Sequence, residues 1–178
     1  AHFRNIFNLY DKTHAETVWG SKPTRAESAR ALLGKHVGDF AGIAPSDKII
    51  MLEPGETVLA HTREFIGGRE HITSMMKARS TLGRCFIEVC KCAGWGDVGY
   101  INRWTMEITN NSRHYTIPLV VGRRIAQFVF FETGPILAKD YAAAGKYQAP
   151  HLTLAELKRA WRPTMMLPRL WADRDIKR

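Results

Sequence analysis

No apolar stretch in this 178-residue chain approaches the roughly 20 residues needed to cross a bilayer as a helix. The densest runs, Ile117 to Val121 and Ile125 to Phe131, are far too short, and no membrane partner is expected. Cysteine is scarce. Three residues cannot build a disulfide framework, so a reducing compartment is expected, the cytoplasm in the simplest case, with an organelle left open after removal of a presequence. Ala1-His2-Phe3-Arg4 holds neither Met nor an apolar signal core, which predicts a processed, trimmed or tagged start with any targeting segment already gone. Metal-ligand patterns are missing too. Cys85, Cys90 and Cys92 are spaced C-x4-C-x-C, with no C-x-x-C and no suitably placed His pair, and the seven histidines, His61 and His114 among them, are scattered. Neither zinc nor any other protein-held metal is expected. On a strand, Cys90 and Cys92 would share one face as small buried residues.

Acid is the scarcer charge, 17 residues against 26 basic ones, for a net charge of +9 and a pI near 9.7. From Leu152 onward, seven basic residues face three acidic ones. A basic surface attracts nucleic acid, anionic membrane or phosphorylated small molecules. A solvated basic face is the plainer reading and outweighs a nucleic-acid partner. The 45% hydrophobic and 24% charged fractions are those of an ordinary globular protein, one compact domain with appendages.

The chain divides into three parts. Residues 1–45 read as an N-terminal extension with one helix, opened by the capping-box spacing Thr24-Arg25-Ala26-Glu27 and running from Arg25 to about Lys35. Residues 46–135 carry short β-type runs: Lys48 to Leu52, Thr57 to Thr62, Thr73 to Ala78, Phe86 to Cys92, Arg103 to Thr109, Tyr115 to Val121 and Ile125 to Phe131. Turn residues divide them and leave little room for crossover helices, which predicts an antiparallel barrel or sandwich. Residues 136–178 hold an Ala-rich stretch, Lys139 to Gln148. A second capping box follows at Thr153-Leu154-Ala155-Glu156, and its short helix must end before Pro163. The last fifteen residues, Trp171 among many charges, read as an extension or partner contact rather than core.

Three segments suggest chemistry. Alternation along Trp104 to Thr109 puts Trp104, Met106 and Ile108 on one face. Glu107 then points either into a polar cavity between two hydroxyl residues or outward to pair with an arginine. Lys77 to Arg84 packs Arg79, Ser80, Thr81 and Arg84 into one turn, able to present hydroxyls and guanidinium forks to a polyphosphate or simply to lie on the surface. Gly94 to Tyr100 brackets Asp97 with three glycines, as a close-approach loop or a plain irregular hairpin.

Taken together and in order, these segments resemble the trimeric dCTP deaminase/dUTPase superfamily, specifically its dCTP deaminase branch. The likeness covers residues 51–148, about half of the chain. Leu52 to Thr62 looks like the strand entering the family core, and Arg79-Ser80-Thr81-Leu82-Gly83-Arg84 like the Arg-Ser-Ser-x-x-Arg motif. Ala93 to Tyr100 resembles the Ala-x-x-x-Asp-x-Gly-aromatic loop, and Thr105-Met106-Glu107-Ile108 with Asn110 the strand carrying the family's glutamate. Gly122 to Gln127 resembles the Gly-x-x-Ile-Ala-Gln motif, and Gly145-Lys146-Tyr147-Gln148 the C-terminal lid. Ser80 and Glu107 stand 27 positions apart, the family spacing. Where the family loop reads Ile-Asp-Pro-Gly, this chain has Gly96-Asp97-Val98-Gly99; losing Pro and gaining Gly predicts a looser loop around Asp97.

The resemblance implies a mainly β fold, a distorted antiparallel β-barrel or jelly-roll of the dUTPase type with a few short helices. It also implies a homotrimer with active sites shared between subunits, in which residues 46–135 form the nucleotide-binding core and residues 136–178 a lid and basic tail. The implied activity is hydrolytic, metal-free deamination of dCTP to dUTP. Glu107 would act as general base and acid, with Ser80 and Arg84 orienting water and stabilising developing charge. The Ala93 carbonyl would accept from the 4-amino group, Asp97 would hold the sugar 3′-hydroxyl, and Tyr100 of the same loop would also bind the substrate. Arg79, Thr81 and Gln127 would lie on the triphosphate, and Lys146 and Tyr147 would close over it. Magnesium would enter with the triphosphate. Two alternatives stay open: a dUTP diphosphatase or bifunctional enzyme giving dUMP, and a catalytically silent trimer serving as a binding module.

Overall fold

The computed structural model describes residues 24–25, 42–150 and 152–172. They form a mainly β fold of short antiparallel strands: β1 (Thr24–Arg25), β2 (Lys48–Leu52), β3 (Thr57–His61), β4 (Ile66–Gly67), β5 (Ile72–Ala78), β6 (Ile87–Glu88), β7 (Trp95–Gly96), β8 (Ile101–Asn102), β9 (Thr105–Asn110), β10 (Ile117–Val120) and β11 (Ala126–Glu132). Helices α1 (Ser80–Arg84), α2 (Tyr141–Ala144) and α3 (Leu154–Ala160) are short. The strands pair in the orders β1-β2-β10, β11-β5-β7 and β3-β9-β6, with a two-stranded ribbon β4-β8. No described helix is long and apolar enough to cross a membrane.

Strand alternation explains how these small sheets share one interior. Each sheet sends its apolar residues inward: Leu52 and Leu119 from β2 and β10, Met76 from β5, and Val58, Ile87, Met106 and Ile108 from the β3-β9-β6 sheet. Asn110 is buried at the end of β9 but fully employed. Its Nδ2 donates to the carbonyls of Leu52 and Tyr115, and its Oδ1 accepts from the Ser112 amide. Burying an amide is tolerable when its hydrogen bonds are made in this way.

Five expectations change. The run Phe86 to Cys92 is a strand only at Ile87–Glu88, because the chain turns into left-handed conformation at Phe86 (φ 61°) and Cys90 (φ 62°). Cys90 and Cys92 therefore part company: Cys90 is buried against Met76 and Cys92 is exposed. Arg79 to Arg84, read as a turn, is a five-residue helix with Arg79 as its N-cap. The helix expected from Arg25 finds Thr24 and Arg25 extended instead, paired with Ile49 and Lys48, and the rest of that stretch lies outside the described residues. Finally, residues 163–172 fold back onto the body of the protein rather than extending away. The second capping box stands as expected. The Thr153 hydroxyl accepts from the Glu156 amide, the Glu156 carboxylate accepts from the Thr153 amide, and α3 ends at Ala160.

Candidate active site

Strand β9 turns its apolar side chains to the core, Trp104 just before it included, and sends Thr105 and Glu107 the other way. Glu107 is paired with Leu59 across β3. Thr57 and Thr109, the next pair on that face, join their hydroxyls at 2.8 Å. Thr57, Leu59, Thr105 and Glu107 thus form the floor of a cavity of about 540 Å³, within the range of roughly 300–1,000 Å³ usual for small-molecule sites. Half-buried Glu107 holds its Oε2 in a place where no described residue reaches it with a hydrogen bond, and no arginine pairs with it among the described residues. Of the two readings, the cavity is the one observed. Burial raises the Glu107 carboxyl above its ordinary value, and a bond to its own backbone amide offsets part of that rise.

The wall is the loop from Lys91 to Tyr100. Ala93, Trp95, Asp97 and Tyr100 all line the cavity. The loop is pinned, contrary to the expected looseness. The Gly99 amide donates to the Gly68 carbonyl at 2.9 Å, and the Tyr100 amide donates to that of Asp97 at 3.0 Å. Gly96 packs where a Cβ would collide with the Trp104 indole, and Gly99 adopts φ 94° with the Ala142 amide 2.7 Å from where a Cβ would stand. The glycines here fasten the loop by close approach rather than loosening it. Tyr100 stands edge-on to Trp104 and Tyr141 at 5.4 and 5.1 Å, and burial raises both tyrosine hydroxyls above their ordinary values.

Gln148 clamps this wall to the C-terminal part of the chain. Its Oε1 accepts from the Ile101 amide at 2.8 Å and its Nε2 donates to the Gly99 carbonyl at 3.0 Å. Tyr147 lines the Glu107 cavity, and its amide donates to the Tyr141 hydroxyl at 3.0 Å. Lys146 lines a neighbouring cavity of about 470 Å³ that shares Trp95, Asp97 and Tyr141 with the first.

The expected site residues therefore fall into two groups. Ala93, Asp97, Tyr100, Glu107 and Tyr147 meet in one cavity, with Lys146 next door. Arg79, Ser80, Thr81, Arg84 and Gln127 do not line it. They are exposed on and around α1, where the Arg79 guanidinium reaches the Arg124 carbonyl at 3.4 Å and Gln127 pairs with Lys77 across β5. Sequence reasoning missed several lining residues. Thr57 and Leu59 carry no chemical signature and acquire a role only by pairing with β9. Tyr141 sits in a stretch read simply as Ala-rich. Met166, Pro168 and Leu170 belong to the tail assigned to the periphery.

Residues 17–133 match the family model described as dCTP deaminase-like. The chain is 42% identical over 86 residues to a protein of Hydrogenobaculum sp. (strain Y04AAS1), covering 47% of this chain and 46% of that one. It is 35% identical over 116 residues to one of Persephonella marina, covering 64% and 61%, and 35% identical over 107 residues to one of Methanopyrus kandleri, covering 59% and 55%. All three are named "dCTP deaminase, dUMP-forming". The matches span about half the length of these curated relatives. Among solved structures, the native EIAV dUTPase aligns with a TM-score of 0.44 and 19% identity over 51% of this chain and 73% of that one. With a family model that spans about two-thirds of its length, the chain belongs to the dCTP deaminase-like family.

Proposed function

We propose that this protein deaminates dCTP hydrolytically, with Glu107 as the group that moves the protons. The observation that carries this reading is a half-buried carboxylate, with one oxygen unpartnered among the described residues, on the floor of a cavity whose wall is the Ala93–Tyr100 loop. In this reading a water molecule adds to C4 of the cytosine while Glu107 takes its proton. The carboxyl passes that proton to N3 and then carries the proton of the new C4 hydroxyl to the 4-amino nitrogen; the C4–N bond breaks, ammonia leaves, and a carbonyl remains at C4 beside the protonated N3. Water and dCTP give dUTP and ammonia, with no change of oxidation state. Desolvation suits Glu107 to this work, since a base and acid used in turn serves best with a pKa near the working pH. The Ala93 carbonyl would accept from the amino group, and Asp97 would receive the sugar hydroxyl beside Tyr100.

Ser80 and Arg84, the other proposed catalytic groups, are absent from this cavity, as are Arg79, Thr81 and Gln127, proposed for the triphosphate. A second copy of the chain that seats its α1 surface against the cavity would complete the site. This arrangement supports a homotrimer with shared sites. Strand β11, at a sheet edge among the described residues, favours such packing, since Val129, Phe130 and Phe131 are exposed on it. Magnesium would come with the triphosphate as part of the substrate, and Lys146 would close over the phosphates with Tyr147.

The names of the matched relatives favour a further step, hydrolysis of dUTP to dUMP and pyrophosphate, over release of dUTP. One incubation with dCTP and magnesium, with dUTP in parallel and products resolved by chromatography, separates the readings. dUTP alone from dCTP marks a deaminase that stops there; dUMP from both marks the bifunctional enzyme; dUMP from dUTP only marks a diphosphatase. No turnover of either by the folded protein marks the silent module. Glu107→Gln should abolish deamination while dCTP binding measured by calorimetry is largely kept. Turnover near the parental rate in that variant would defeat the assignment.

A further inference from the structure

The segment after α3 has no part in the motifs from which the site was read, yet it is built into it. Trp161 caps α3 and lies under the Arg103 guanidinium at 4.8 Å, with Phe65 beneath the same group at 5.3 Å and the His61 ring edge-on to Trp161 at 4.5 Å. From that anchor the chain runs through a 3₁₀ turn, Pro163–Met166, and places Met166, Pro168 and Leu170 in the lining of the Glu107 cavity. Arg169, between two of these lining residues, fastens the segment to the lid. Its amide donates to the Tyr147 hydroxyl at 3.1 Å, its guanidinium donates to the Lys146 carbonyl at 2.8 Å, and the same guanidinium lies 5.5 Å from the Tyr147 ring centre.

We infer that Arg169 is a positioning residue: through the Lys146 carbonyl and the Tyr147 hydroxyl it joins the lid to an apolar roof of Met166, Pro168 and Leu170 over the Glu107 cavity. The inference rests on the deaminase reading of that cavity. Both anchors are charged groups on aromatic faces, and one adds two hydrogen bonds, so the segment is held by specific contacts rather than by general burial. A roof of these three side chains presents no donor to a ligand and no acceptor stronger than the Met166 thioether. Its contribution is to exclude water from the carboxylate and to give the nucleoside a dry wall, while the Lys146 carbonyl and the Tyr147 ring are held at the cavity edge.

Arg169→Ala tests this, with Arg169→Lys keeping the charge but losing the planar fork. Hydrogen exchange with mass spectrometry on the full chain reads the fastening directly. Peptides spanning 161–172 and 145–148 should exchange about tenfold faster in Arg169→Ala while β5, β9 and β11 stay at parental rates. dCTP titrations should show at least about tenfold weaker binding, with Arg169→Lys in between, because a guanidinium stacked on Tyr147 and bonded to the Lys146 carbonyl is only partly replaced by an ammonium. The acid limb of the pH–rate profile should move to lower pH as water reaches Glu107. Unchanged exchange in the tail would overturn the inference, as would faster exchange throughout the core or a freed tail with parental dCTP binding and an unmoved acid limb. If the parent itself binds no dCTP, the deaminase reading fails and the nucleotide role of Arg169 falls with it, while the exchange comparison still decides the fastening.

Discussion

Glu107 shows how one side chain's environment couples chemistry to stability. Desolvation makes its carboxyl harder to ionise in the fold than in the unfolded chain. Between the ordinary glutamate value and the raised native one, the folded state holds a proton that the unfolded state has released. Folding stability is therefore lost as pH rises through that window. Glu107→Gln cannot ionise and escapes the loss. The melting temperature of the variant, relative to the parent, should climb as the pH of the scan is raised from about 4 to about 7. A difference independent of pH, or one of opposite slope, would show that Glu107 is not desolvated. Cys90 illustrates the same physics without the function: burial first, and the nearby Glu107 charge second, push its thiol up to about 12. It is a core residue against Met76, inert at ordinary pH.

The cavity depends on elements brought to it by particular hydrogen bonds. Gln148, buried at 9% exposure, ties the segment after α2 to the loop carrying Asp97 through the Ile101 amide and the Gly99 carbonyl. Gln148→Ala leaves a buried donor and acceptor unpaired, for a loss of about 1–3 kcal/mol per unsatisfied group. Denaturant unfolding should register that loss, and exchange at Gly99 to Asn102 should rise before the rest of the core. A variant as stable as the parent would mean that water replaces the amide without cost. Helix α3 was readable beforehand because a capping box satisfies its own amides locally. Strands β4, β7 and β8 were not, since two residues each make no pattern and exist only through partners such as Asn102 for Ile66 and Ser74 for Gly96.

At the scale of the assembly, the division of the proposed site into a cavity group and an α1 group makes a sharp demand. If Glu107 of one subunit works with Arg84 of another, two inactive variants can repair each other. Glu107→Gln and Arg84→Ala, each silent alone, should regain activity when co-expressed and purified as mixed trimers. In a trimer holding both variants one shared site in three is intact, so roughly a third of parental turnover is expected. Mixed trimers without turnover would place both groups in one subunit's site, and turnover by Arg84→Ala alone would remove Arg84 from the chemistry. Light scattering of the parent supplies the companion measurement, and a stable monomer would contradict sharing.

Much of this was legible in one dimension because its physics is local. Alternation on Trp104 to Ile108 follows from the pleat of a strand, so the placement of Glu107 opposite the core could be read before any fold was known. The capping box and turn residues likewise act within a few positions. Pairing of Leu59 with Glu107, burial of Gln148 and the return of Met166, Pro168 and Leu170 to the cavity are contacts between residues dozens of positions apart. No local propensity encodes them. They exist because closing the chain around one core brings distant segments into reach, and whether each contact forms depends on hydrogen bonds and area that only the folded chain offers. For the same reason, the glycines around Asp97 predicted looseness as composition and proved to be points of close packing against Trp104 and Ala142.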